Sequence, residues 1–157
     1  YYSYLGKYFK LLLVLIFCIG ILNAQDLTRQ NPILKTVYLL GKSGENHFFK
    51  PNRLTFDVGK LYILKIKNDS DSKHYFSSNS FFKSIFTRKI QIVSDKSKIA
   101  EIKGNIHEVE IWPNQQIEWW FVPIKTGYFK DLGCRVIDKK KNISHKDMGM
   151  IGEIIIN

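Results

Sequence analysis

Residues 107–134 read HEVEIWPNQQIEWWFVPIKTGYFKDLGC, and their punctuation decides the fold class. Pro113-Asn114-Gln115 and Lys125-Thr126-Gly127 are turn chemistry, and they separate short runs rich in β-branched and aromatic residues. The spacing predicts three strands. In the middle one, alternation puts Ile117, Trp119 and Phe121 on one face and Trp120 and Val122 on the other. At least one face is core. The ring on the other is left either exposed or lying over a neighbouring loop, and packing accounts for most of this aromatic mass.

The same rhythm runs outward in both directions. KTVYLLGKSGENH (35–47) reads as a strand and a glycine-rich loop, and FFKPNRLTFDVGK (48–60) as a proline, a short alternating stretch and a glycine turn. LYILKIKNDSDSK (61–73) alternates Tyr62, Leu64 and Ile66 against Leu61, Ile63 and Lys65, then breaks into a polar loop after Asn68. GMIGEIIIN (149–157) supplies a last strand. Short strands at this spacing predict an all-β sandwich or barrel of seven or eight strands. One segment differs. NSFFKSIFTRK (79–89) places Phe81, Phe82, Ile85 and Phe86 at helical offsets, predicting one short helix over an edge of the sandwich, capped by Asn79 or Ser80.

KYFKLLLVLIFCIGILNAQD (7–26) has a basic start, an apolar run of about a dozen residues and a small residue before a polar stretch. That is the layout of a secretory signal, with an apolar run short of the roughly 20 residues a membrane-spanning helix needs. The expected organisation is a signal over residues 1–24, a loose leader over 25–34 and one domain over 35–157. The expected location is the periplasm or another exported space, with no stable membrane span. The formal charge of +10 becomes +8 without the two lysines of residues 1–24. An exported basic protein is expected to meet an acidic protein face, and nucleic acid is not expected as a partner. No basic block alternates with aromatics as a nucleic-acid platform would.

Without residues 1–24 the chain keeps one cysteine, Cys134, in CRVIDKKKNISHKDMGM (134–150). A solitary thiol in an oxidising space is exposed to mixed disulfides unless it is buried or bound. A copper ion that cycles between cuprous and cupric states needs ligands acceptable to both, and two imidazoles, a thiolate and a weak thioether meet that requirement. Cys134 closes a predicted strand, His145 and Met150 follow in the next loop, and His74 lies just past the strand ending near Asn68. Met148 competes with Met150 for the axial place. His47, in a Gly-Glu-Asn turn, and His107, on a face with Val109 and Ile111, are read as ordinary residues.

These stretches, with KHYF, KTGYFKDLGC and the ending H-x4-M-x-G, resemble the cupredoxins, the plastocyanin and azurin family of small exported copper proteins. The resemblance spans about Lys35 to Asn157. It implies a Greek-key β-sandwich or barrel and one mononuclear copper held by His74, Cys134, His145 and Met150. One departure stands out: RVIDKKKNIS inserts ten residues between Cys134 and His145, where the family usually has two to four. A longer flexible loop can still return the histidine, since doubling its length costs only about 0.6 kcal/mol of closure entropy.

The expected function is one-electron transfer by a non-enzymatic monomer, with a copper carrier or buffer as the alternative. A multicopper oxidase would need further domains and paired His-x-His motifs, and a binuclear centre a second nearby cysteine. Lys139–Lys141 form either a solvated loop tip or a basic lip steering an acidic redox partner.

Overall fold

A computed structural model describes residues 25–94 and 97–157, with residues 4, 6 and 8. The rest of the segment read as an export signal lies outside the described residues. In chain order the strands are β1 (Ile33–Lys42), β2 (Asn46–Lys50), β3 (Arg53–Phe56), β4 (Tyr62–Asn68), β5 (His74–Phe76), β6 (Ile85–Val93), β7 (Lys98–Ile102), β8 (Val109–Ile111), β9 (Gln116–Pro123), β10 (Gly127–Gly133) and β11 (Ile151–Ile156). A single helical turn, α1 (Asn79–Phe82), lies between β5 and β6. The three strands predicted from residues 107–134 are β8, β9 and β10.

Six strands form one sheet in the order β2-β1-β4-β9-β6-β7, and β10-β11-β3 form another, with β5 and β8 a separate pair. Within these sheets β1 runs parallel to β4 and β11 parallel to β3. The other pairings are antiparallel. There are more strands than the seven or eight expected, because β2, β3, β5, β7 and β8 are short edge or linking pieces of three to five residues. β1 begins at Ile33, within the stretch read as leader, and pairs from there with Tyr62.

The core is where alternation puts it. Ile117, Trp119 and Phe121 of β9 are buried beside Tyr62, Leu64 and Ile66 of β4. Leu54 and Phe56 of β3 and Ile154 and Ile156 of β11 close it from the other side. Phe56 meets Tyr62, Phe121 and Phe81 at centroid distances of 4.9, 5.1 and 5.7 Å, the range in which aromatic pairs attract. The buried Trp119 indole donates from Nε1 to Thr87 Oγ1 at 3.1 Å, so its one polar atom is satisfied.

The helix is shorter than the spacing predicts. Ser78 caps it, its Oγ accepting from the Phe81 N–H, and Phe81 and Phe82 are buried. Ile85 and Phe86 belong instead to β6, where they pair with Pro123 and Val122. Helical offsets were met by coincidence here: β-branched Ile85 and Thr87 gain a full strand ladder against β9, which a second helical turn would forfeit.

Candidate metal centre

Three elements deliver the donors to one pole of the sandwich. His74 opens β5, and Gly133 N–H donates to the Ser77 carbonyl, tying the end of β10 to the end of β5. Cys134 follows at once. The chain then makes a hairpin-like excursion through the insertion and returns. Its legs are held by His145 N–H to Val136 O, by Lys146 N–H to Cys134 O and by a bridge between Ile137 and Ser144. The insertion therefore does not push His145 away from Cys134. Met150 is tied to both, donating to the His145 carbonyl at 2.9 Å and accepting from Cys134 N–H at 3.3 Å.

The result is a small triangle. His74 Nδ1 and His145 Nδ1 lie 3.0 Å apart, and Cys134 Sγ is 3.7 Å from the first and 3.6 Å from the second. All three residues and Met150 are buried to within 1 % of full enclosure, whereas Met148 is only half-buried. Two sp² nitrogens and a sulfur converging at this spacing, out of water, leave room for a shared ion and little else.

Hydrogen bonds around the triangle set its protonation. Asn68 ends β4 with its side chain fully enclosed; Nδ2 donates to the carbonyls of Ser72 and Ile111, both at 2.8 Å. Its Oδ1 accepts from Ser70 N–H at 3.0 Å and from Ser70 Oγ–H at 2.7 Å. Ser70 Oγ is also 2.7 Å from His74 Nε2. The serine proton goes to an oxygen, so His74 donates from Nε2 and its Nδ1 lone pair faces the triangle. Tyr75 N–H points at Cys134 Sγ at 3.3 Å, a bond that strengthens when the sulfur is a thiolate. Burial lowers His74 to about 3 and His145 to about 4, with neighbouring imidazoles adding to the effect, so both rings are neutral donors at neutral pH. Burial pushes the Cys134 thiol up, and a metal ion must displace its proton on binding.

No protein-family model matches this chain, and no curated protein matches it in sequence. Solved structures do match in shape. The McoA multicopper oxidase of the hyperthermophile Aquifex aeolicus is 12 % identical over 82 % of this chain and 30 % of its own, with a TM-score of 0.55. A laccase from Botrytis aclada is 11 % identical over 79 % and 28 %, with a TM-score of 0.54. The copper nitrite reductase of Nitrosomonas europaea is 9 % identical over 83 % and 51 %, with a TM-score of 0.53. The fold is cupredoxin-like. This cupredoxin-like chain spans about a third of the oxidases and half of the reductase, so the likeness speaks for the fold alone.

Every site residue expected from the sequence lies at this one pole of the cupredoxin-like sandwich. The donor set of His74, Cys134, His145 and Met150 fits a single type-1 copper. His107, read as ordinary, is exposed and is not among the histidines that cluster. His47, also read as ordinary, is not. It is fully enclosed, and its donor atom lies within 4.8 Å of those of His74 and His145. Its ring stacks on His145 with centroids 3.7 Å apart, and its Nε2 is 3.2 Å from Asp138 Oδ2. Asn68 and Ser70 were also missed; Asn68-Asp-Ser70 reads as a glycosylation sequence, yet its amide is fully engaged inside the fold. The polar loop NDSDSK just before a candidate ligand was the available signal for this pair. His47 and Asp138 offered none, since they are 91 residues apart in the chain.

Proposed function

We propose that this protein holds one copper ion with His74, Cys134, His145 and Met150 and carries single electrons in an exported compartment, as a monomer without catalytic activity of its own. The observation that supports this best is the buried triangle of Nδ1, Nδ1 and Sγ, with edges of 3.0, 3.6 and 3.7 Å. Bound copper supplies a one-electron couple that neither thiolate nor imidazole offers alone. The chain's own residues supply the rest. Ser70 fixes the His74 tautomer, Tyr75 N–H stabilises a thiolate at Cys134, and the apolar core around Met150 keeps water out. Donors fixed before the metal arrives change little when its charge changes, which favours fast transfer. The tied insertion also favours a shuttle over a carrier or buffer, which would need a site loose enough to release its metal.

The partner surface proposed here surrounds a cavity beside His145, lined among others by Lys73, Trp112, Ile137 and Lys139. Trp112 is largely exposed, with Lys73 Nζ 5.6 Å from its ring centroid. The same lining carries one carboxylate, Asp71, and Lys73 is paired with Glu110 at 2.7 Å, so Lys139 is the ammonium group beside these apolar side chains that favours a redox partner with an acidic face.

Copper added to the purified protein should produce an intense thiolate-to-copper band that Cys134→Ser abolishes. Equal spectra for the two would overturn copper–thiolate binding. Cyclic voltammetry then separates shuttle from buffer: a reversible one-electron wave is expected, and a sluggish or absent response would leave only metal storage.

A further inference from the structure

His47 is costly to place where it is. A buried imidazole with an unpartnered Nδ1 forfeits a hydrogen bond, and among the described residues no donor or acceptor meets that atom. β2 passes close to β1 at Gly41, where an added Cβ would meet the Asn46 carbonyl oxygen at 2.1 Å before it met the ring. A Cβ at Gly41 would come within 2.7 Å of His47 Cα and 2.9 Å of its Nδ1, and Gly41 has φ +127°. The insertion contributes its one buried acid to seating the ring. Asp138 accepts from the N–H groups of Gly44, Lys140 and Lys141 at 2.8–3.2 Å and presents Oδ2 to His47 Nε2. Those N–H groups and His47 hold its carboxyl well below the usual range, so Asp138 is an anion that fixes the ring from behind.

His145 is what the ring is fixed against. His74 is oriented by Ser70, but among the described residues no hydrogen bond holds Nε2 of His145. Among the described aromatic rings, the one stacked on its face is His47, at 3.7 Å and 28°. A ring nitrogen's lone pair lies in the ring plane. Two planes this close to parallel therefore run their lone pairs alongside one another. His74, tilted 59° to His145 with the Nδ1 atoms facing, has the converging geometry instead.

We propose that His47, anchored by Asp138, is a positioning residue that clamps the His145 imidazole by stacking and keeps it on the metal in both oxidation states. This rests on the copper-site reading above. Removing the stack frees His145 to turn about its side-chain bonds, which weakens metal binding as the loss of an orienting partner does.

Three variants separate the stack from the hydrogen bond: His47→Ala removes both, His47→Phe keeps a flat ring without a polar atom, and His47→Gln keeps a donor for Asp138 without a ring. Each is loaded with copper and its optical spectrum, reduction potential and copper affinity against a chelator are measured, with pulsed EPR counting coordinated imidazoles. The expected result is a thiolate band throughout, two coordinated imidazoles in the wild type, and affinity about tenfold weaker with a shifted potential in His47→Ala and His47→Gln. His47→Phe should match the wild type in both. Phenylalanine failing where glutamine succeeds would overturn the clamp, as would three coordinated imidazoles in the wild type, which would make His47 a ligand. Should His47→Ala not fold, the Phe and Gln variants still decide the matter. A wild type without a thiolate band would sink the copper reading itself, and the clamp with it; a band present with all three variants unchanged would sink the clamp alone.

Discussion

Asn68→Ala tests whether the site is organised from the end of β4. The side chain makes four hydrogen bonds inside the fold, two given by Nδ2 and two taken by Oδ1. Truncation does not strand all four partners. Ser72 O keeps Ser70 Oγ at 2.9 Å, and the serine hydroxyl can turn to it. One group, the Ser70 N–H, is left buried and unpaired at about 1–3 kcal/mol, while the Ile111 carbonyl keeps its place in the ladder opposite His74. The expected loss of stability is therefore about 1–3 kcal/mol, toward the lower end if water enters the vacated space. That is a large share of the 5–15 kcal/mol typical of a domain, though not enough to unfold it at 25 °C. The second consequence concerns the metal. With Oδ1 gone, one of the two oxygens competing for the Ser70 proton disappears. His74 is then less firmly held as the Nε2–H tautomer, and copper affinity should fall by about tenfold. Asn68→Asp is the discriminating companion: it keeps both acceptor bonds and loses the Nδ2 donors, so it should lose stability while holding affinity better. Urea denaturation of the metal-free proteins gives the first quantity, and chelator competition gives the second. A loss below about 0.5 kcal/mol for Asn68→Ala would refute the buried network. A full loss of stability with unchanged copper affinity would show that His74 does not depend on it.

Four other outcomes are expected. Thr87→Val leaves the Trp119 indole N–H unpaired in the core and should cost about 1–3 kcal/mol in urea denaturation; a neutral result would mean the indole is satisfied elsewhere. Met150→Leu should shift the reduction potential of the copper-loaded protein while Met148→Leu does not, and the reverse pattern would transfer the axial role to Met148. The metal-free protein should lose stability as pH falls from about 6.5 toward 4. His74 and His145 have lowered values in the folded state and ordinary ones in the unfolded chain, which takes up the protons first. Urea midpoints that stay level across that window would contradict it. Lys139→Glu should slow electron transfer to an acidic partner at low salt, with the difference fading as salt is added; a rate indifferent to ionic strength would remove the steering role.

What the sequence made legible follows from the range over which its signals act. β9 could be read because Ile117, Trp119 and Phe121 alternate within a few residues and turn chemistry bounds them on both sides. The cluster could be read because Cys134, His145 and Met150 share one short segment and their chemistry makes sense together. α1 was over-extended because four apolar residues over Phe81–Phe86 satisfy helical and strand spacing alike. Only the ladder with β9, some thirty residues on, decides between them. His47 was misread for a stronger version of the same reason. Nothing near Gly44-Glu45-Asn46 marks it, and its role exists only where β2 meets a loop from the far end of the chain.

The insertion between Cys134 and His145 shows most clearly how counting residues can mislead. As a flexible loop of ten residues it would loosen the site. Its ends are instead laced by Lys146 N–H to Cys134 O and His145 N–H to Val136 O, and its tip by Asp138 N–H to Ile143 O, so little of it is free to sample other shapes. The entropy of closing it is met largely by its own backbone hydrogen bonds. What the extra length adds is reach. Asp138 extends far enough to bind the Gly44 turn and His47 at once, joining the segment that carries Cys134 and His145 to the edge of the six-stranded sheet. A shorter connection could return the histidine to the cysteine, but it would have no acid with which to hold a third ring against it.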